Sequence, residues 1–105
     1  MWLLRTAEGA EAPFTFRILP GNIKTIGRAP RADFIVDAAL VSRLHCRLTA
    51  GASELEVVDL DSTNGTYVNG VRATEATRLR SGDKLGVGRV ELIVEKATDR
   101  SARSA

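Results

Sequence analysis

The 105-residue chain is poor in the side chains that build reactive centres, with one cysteine, Cys46, and one histidine, His45. A lone thiol excludes an internal disulfide, and one histidine next to one cysteine cannot supply a usual metal ligand set, so neither a metal nor a cofactor is expected. No apolar run approaches the roughly 18 to 20 residues that span a bilayer. The N-terminus also lacks a basic segment leading into an apolar stretch and a cleavage site. These absences make a cytoplasmic location and no membrane partner the expectation. Charge of one sign is missing too: 15 basic and 13 acidic residues give a net charge of +2 and are interspersed along the chain. That pattern argues against a nucleic-acid surface. No window offers an apolar period of 3.6 residues, which excludes an obvious amphipathic helix.

What is present is a 44% hydrophobic content, enough for one domain with a modest core. Arginine outnumbers lysine twelve to three. The guanidinium fork matches the oxygens of phosphate or carboxylate in two-point geometry, although a bias in codon usage would leave the same excess. Phe14–Ile18 alternates apolar and polar residues, as a strand with one buried face does. Similar short runs recur at 2–5, 23–26, 34–36, from His45 onward, 54–60, 67–68, 71–72, 77–79, 84–87 and 90–95, each bounded by turn residues. Asn69-Gly70 between Val68 and Val71 is a strong hairpin signal, because both central residues of the favoured turn need positive φ. Ten to eleven short strands without helices predict an all-β sandwich or barrel over residues 1–96. Two features stay ambiguous along the way. The phase shift at Val57-Val58 suggests either a bulge or burial on both faces, and the alternation after residue 44 puts His45 and Arg47 opposite Cys46 and Leu48. From 97 to 105 the apolar pattern vanishes, and a disordered tail or linker is expected.

The stretch Asp61-Ser62-Thr63-Asn64-Gly65-Thr66 is a polar loop between apolar runs. Thr63 and Asn64 offer a hydroxyl and an amide, and Gly65 permits a sharp bend. Taken alone, the loop suits a plain hairpin connection as well as a ligand. Upstream stand Gly27-Arg28 and Ser42-Arg43-Leu44-His45. Together with Thr63-Asn64-Gly65, and with Asn69-Gly70 and Gly82-Asp83-Lys84-Leu85-Gly86-Val87-Gly88 following, they resemble the signature of the forkhead-associated (FHA) domain. The resemblance covers about residues 2 to 96 and runs in the family's order.

The resemblance implies a sandwich of two twisted, mainly antiparallel sheets whose loops at one end receive a phosphothreonine peptide. It also implies a role for each matched residue. Arg28 and Ser42 would contact the phosphate, Thr63 would add a further contact, and Asn64 would pin the peptide backbone. Arg43 would either join the phosphate contacts or face solvent. Gly27, His45, Gly65 and Asn69 would brace loops and turns rather than touch ligand. The position three beyond the phosphothreonine would meet the loop before Ser42, where Leu40, with Val41, would offer an apolar shelf, unless Leu40 turns into the core. The implied partner is a phosphothreonine-containing protein, a Ser/Thr kinase or its substrate. Thr98, once phosphorylated, would occupy a neighbouring molecule's site and give phospho-dependent self-association.

Two other functions compete. A serine hydrolase would need Ser42, His45 and a carboxylate such as Asp59 or Asp61, but Ser and His three apart on a loop do not readily reach nucleophile-to-base geometry. No Gly-x-Ser-x-Gly elbow surrounds Ser42 either, so no enzyme is expected. A phospho-independent FHA-like scaffold or oligomerisation domain, working through sheet faces or edges, is the alternative that the residues leave open.

Overall fold

Period-two alternation interrupted by turn residues folds into eleven strands in the computed structural model, which describes residues 1–7, 9 and 13–97. The strands are β1 (Trp2–Thr6), β2 (Thr15–Ile18), β3 (Ile23–Gly27), β4 (Phe34–Ile35), β5 (Cys46–Ala50), β6 (Leu55–Asp59), β7 (Thr66–Val68), β8 (Val71–Arg72), β9 (Thr77–Leu79), β10 (Lys84–Val87) and β11 (Val90–Lys96). Among the described residues there is no helix. One sheet runs β2-β1-β11-β10-β7-β8 and the other β4-β3-β5-β6-β9. Among the described residues only β3 and β4 pair in parallel. The sandwich and its strand number agree with the sequence expectation.

The core lies between the sheets and follows from the alternation. On β5, Cys46, Leu48 and Ala50 point inward while Arg47 is exposed; on β11, Leu92 and Val94 do the same. Each such Leu or Val side chain contributes roughly 1.5–3 kcal/mol by leaving water. Trp2 is buried as well, and its indole N–H donates to the Gly51 carbonyl at 3.1 Å, so its one polar group is satisfied. Between the edge strands β2 and β4, the rings of Phe16 and Phe34 stack with centroids 4.4 Å apart.

Several sequence ambiguities resolve here. Strand β6 pairs with β5 in unbroken register, so there is no bulge; Leu55 and Val57 are buried and Val58 is half-buried on the outer face. His45 does not share the exposed side of Arg47. It precedes β5 and is fully buried, because the alternation of a strand does not extend into the loop that feeds it. Asn69 and Gly70 have φ of 51° and 81°, and Val68 pairs with Val71, which is the two-residue hairpin expected. Ala97 lies beside Met1, its N–H donating to the Met1 carbonyl at 2.8 Å. The remainder of the expected tail, Thr98 included, falls outside the described residues.

Candidate functional site

Three loops meet at one end of the sandwich because backbone groups clamp them together. Strand β3 ends in Gly27, and a Cβ placed there would lie 2.0 Å from the Arg43 carbonyl oxygen, so only glycine lets the loop before β5 approach so closely. Just past it, the Arg28 N–H donates to the Ser42 carbonyl at 2.9 Å and the Ala29 N–H to the Arg43 carbonyl at 3.1 Å. The loop between β6 and β7 joins from the other side. The Thr63 N–H donates to Ser42 Oγ at 3.0 Å, and Asn64 Nδ2 donates to the Leu40 carbonyl at 3.0 Å.

His45 fastens two of these loops from beneath. The Ser42 N–H donates to Nδ1 at 3.0 Å, which makes Nδ1 an acceptor and puts the ring hydrogen on Nε2. Nε2–H then donates to the Gly65 carbonyl at 2.7 Å. Both ring nitrogens are therefore committed to backbone, neither to the Ser42 hydroxyl. A Ser–His–Asp relay is not built from these residues.

The β6–β7 loop carries its own anchor, which the sequence did not reveal. Asp59 accepts from the Ser62 N–H at 3.1 Å, from Ser62 Oγ at 2.5 Å and from Thr66 Oγ1 at 2.7 Å; Ser62 Oγ in turn accepts from the Gly65 N–H at 2.9 Å. Partial burial works against the Asp59 charge, but the hydrogen bonds from Ser62 and Thr66 outweigh it and hold the carboxyl below the usual range. The spacing Asp59-x-x-Ser62, a carboxylate three residues ahead of a loop serine whose backbone and hydroxyl it can accept from, was the available signal. Asp61 sits within the turn at φ 60°, and Gly65 at φ 85°. The Arg72 side chain lies against Gly65, where a Cβ would come 2.9 Å from its Nε.

Cys46 follows His45 but faces inward. Burial pushes its thiol up to about 12, so it acts as a small core side chain. Among the described residues no cluster of three or more His, Cys, Asp or Glu side chains could hold a metal ion.

The upper surface left by these contacts is rich in hydrogen-bonding groups. Ser42 Oγ accepts from Thr63, which leaves its own hydrogen to donate outward. Arg28, Arg43, Thr63 and Asn64 are all exposed around it. A guanidinium with adjacent hydroxyl and amide donors suits an anion with several oxygens. Leu40 is half-buried and, with Ala38, Ala39 and Arg89, lines a neighbouring cavity of about 320 Å³. Gly88 holds that loop close, since a Cβ on it would lie 2.8 Å from the Leu40 carbonyl. Val41 departs from the expected shelf: it is 2% exposed and part of the core, because the hydrogen bond from its N–H to the Ala38 carbonyl turns the loop inward there. Asn69 also stands apart from these three loops. It lies at the opposite end of β7 and braces the turn before β10, donating to Asp83 Oδ1 at 3.1 Å and accepting from the Lys84 N–H at 2.9 Å.

Solved structures with this architecture include FHA domains. The FHA domain sequence profile matches residues 24–88, which contain every clamp described above. The oxoglutarate dehydrogenase inhibitor of Corynebacterium glutamicum is 36% identical over 91 residues, covering 87% of this chain and 62% of that protein. The chain thus spans less than two thirds of that relative's length. The FHA domain of CT664 from Chlamydia trachomatis shares the fold with a TM-score of 0.86 at 23% identity, covering 92% of this chain and 98% of that one. An FHA domain solved in connection with phosphothreonine-dependent FHA interactions is 30% identical, with a TM-score of 0.78 and coverage of 92% and 97%. Fold, motif order and profile converge, and the chain belongs to the FHA domain family.

Proposed function

We propose that this domain is a phosphorylation-dependent recognition module that binds phosphothreonine peptides across the loops bearing Arg28, Ser42, Thr63 and Asn64. The observation that carries this is the Ser42 hydroxyl. It accepts from the Thr63 N–H and keeps its own hydrogen free to donate, on a loop held by backbone to the exposed Arg28. A phosphate carries close to two negative charges and three acceptor oxygens, and takes up such donors well. Arg28 supplies permanent charge, Ser42 and Thr63 supply neutral hydroxyl donors, and Asn64 keeps an amide oxygen for the peptide backbone while its Nδ2 holds Leu40. Arg43 adds positive charge on the same rim. Gly27, His45 and Gly65 act indirectly, by fixing the distance between loops.

The domain acts by binding, without a reaction of its own. Its partner is a phosphothreonine-bearing protein, a Ser/Thr kinase or a kinase substrate, met in the cytoplasm where ATP-dependent phosphorylation occurs. The relative with 36% identity is named as an inhibitor, which supports a regulatory setting. At the third position after the phosphothreonine, the half-buried Leu40 with Ala38 and Ala39 favours Leu, Ile or Val. The effect is about 1 kcal/mol, roughly fivefold in affinity. Phosphorylated Thr98 would use the same site on a second copy.

Titration with a phosphothreonine peptide pool and its unphosphorylated twin tests the proposal. Binding of the phosphorylated pool alone is expected. Equal binding of both would favour a phospho-independent scaffold.

A further inference from the structure

Beside Arg28 and Ser42 lies a second concavity, of about 550 Å³, lined by Ala29, Pro30, Arg31, Arg43 and Leu44. Its two walls are the loop after β3 and the loop before β5, held together by the hydrogen bonds from Arg28 and Ala29 to the Ser42 and Arg43 carbonyls. The groove is continuous with the phosphate loops, because Ala29 and Arg43 directly follow Arg28 and Ser42. It is also held in shape. The Ala32 N–H closes a turn on the Ala29 carbonyl at 3.0 Å with Pro30 and Arg31 at its centre, and Ala32 is buried beneath. Pro30 is suited to the first central position of such a turn.

Both charged groups of this groove are cations. Among the described residues the ion pairs are Arg5 with Glu95 and Arg78 with Glu54, so neither Arg31 nor Arg43 is neutralised by one. The nearest acidic residue in sequence, Asp33, is engaged elsewhere: its Oδ2 accepts from the Thr25 N–H at 2.9 Å and from Thr25 Oγ1 at 3.2 Å. Two unpaired guanidinium groups over a shallow floor of Ala29, Pro30 and Leu44 make a receptor for a further anionic group. The Leu40 cavity shares no lining residue with this groove, so the two would meet different parts of a bound chain.

We propose that Arg31 and Arg43 form a second anion subsite that reads an acidic or phosphorylated side chain on one flank of the phosphothreonine, at a position other than the one that meets Leu40. This rests on the phosphopeptide function proposed above. It makes doubly anionic segments, rather than isolated phosphothreonines, the preferred ligands. A carboxylate gains little at an exposed site, about two- to fivefold in affinity. A second phosphate, taken by the guanidinium forks, gains on the order of tenfold or more. Both gains shrink as salt rises.

The test uses phosphothreonine peptides with alanine flanks. Glutamate, and separately a second phosphothreonine, are moved through each of the four positions on either side. Affinities are measured by calorimetry for the parent protein, Arg31→Ala and Arg31→Lys. Arg31 is exposed and outside the primary phosphate site, so Arg31→Ala should bind the singly phosphorylated parent peptide as the parent protein does. The expected result is a gain confined to one flank, larger for phosphate than for glutamate, lost in Arg31→Ala and partly restored in Arg31→Lys. No positional gain, or a gain that Arg31→Ala leaves intact, overturns the subsite while leaving the primary site standing. Failure of the parent protein to bind even the singly phosphorylated peptide overturns the function itself, and the subsite with it.

Discussion

His45 Nε2 donates to the Gly65 carbonyl at 2.7 Å while its Nδ1 accepts from the Ser42 N–H, so one buried ring holds the loops before β5 and before β7 at a fixed distance. Ser42 and the Thr63-Asn64 pair are carried by those two loops. Their spacing is thus set from within the protein rather than by the ligand, which lowers the ordering cost of binding.

His45→Ala should therefore act through stability. It strands a backbone donor and acceptor and leaves a cavity, at a cost of about 1–3 kcal/mol. Denaturant unfolding of mutant and parent checks this. A mutant that unfolds like the parent yet no longer binds would make His45 a ligand contact instead.

Gly27→Ala should be at least as damaging, although it adds only a methyl group. The added carbon would sit 2.0 Å from the Arg43 carbonyl oxygen, a backbone atom that no side-chain rotation can move aside. Overpacking of this kind costs typically about 1–3 kcal/mol, and here it forces the Ser42 loop away from Arg28. The melting temperature and the phosphopeptide affinity should fall together; an unperturbed melt would contradict the close approach.

Asp59 gives the fold an acid-sensitive anchor. Its carboxyl is held below the ordinary value of about 3.9 expected in the unfolded chain. The associated stability is fully present above about pH 4 and is lost as pH falls through the lowered native value. Asp59→Asn substitutes a donor for an acceptor facing Ser62 and Thr66, so it should lower stability at neutral pH and flatten the acid limb. Melting curves between pH 2 and 6 decide, and an identical acid limb in parent and mutant would remove Asp59 from this role.

Cys46 should be silent to thiol reagents. With its thiol pushed up to about 12 by burial, the native protein at neutral pH should react with iodoacetamide only on unfolding. Rapid modification of the native protein would contradict its place in the core.

Much of this architecture was legible in the sequence because it depends on short-range chemistry. Alternation marks strands such as Phe14–Ile18, Asn69-Gly70 marks its hairpin through positive φ, and Gly27-Arg28, Ser42-x-x-His45 and Thr63-Asn64-Gly65 keep their family order. What stayed hidden depends on residues distant in sequence or on loops without a period. Asp59 looks like any solvated carboxylate until Ser62 and Thr66 fold onto it. Val41 follows Leu40 with nothing in the sequence to show that it turns into the core. Arg89 reaches the Leu40 cavity only because the β10–β11 turn packs there, with Gly88 against Leu40. The groove of Arg31 and Arg43 likewise exists only once two loops are clamped.

Recognition of phosphate by Arg28 and its neighbours stands or falls with the Arg28→Ala protein. The Arg28 side chain is exposed, so its removal should leave the melting temperature unchanged. A charge-assisted contact worth about 1.5–3 kcal/mol is lost, which weakens a phosphothreonine peptide about ten- to more than a hundredfold in calorimetry. The unphosphorylated twin should bind neither protein. An Arg28→Ala protein that melts like the parent and binds the phosphopeptide with parental affinity would contradict the account.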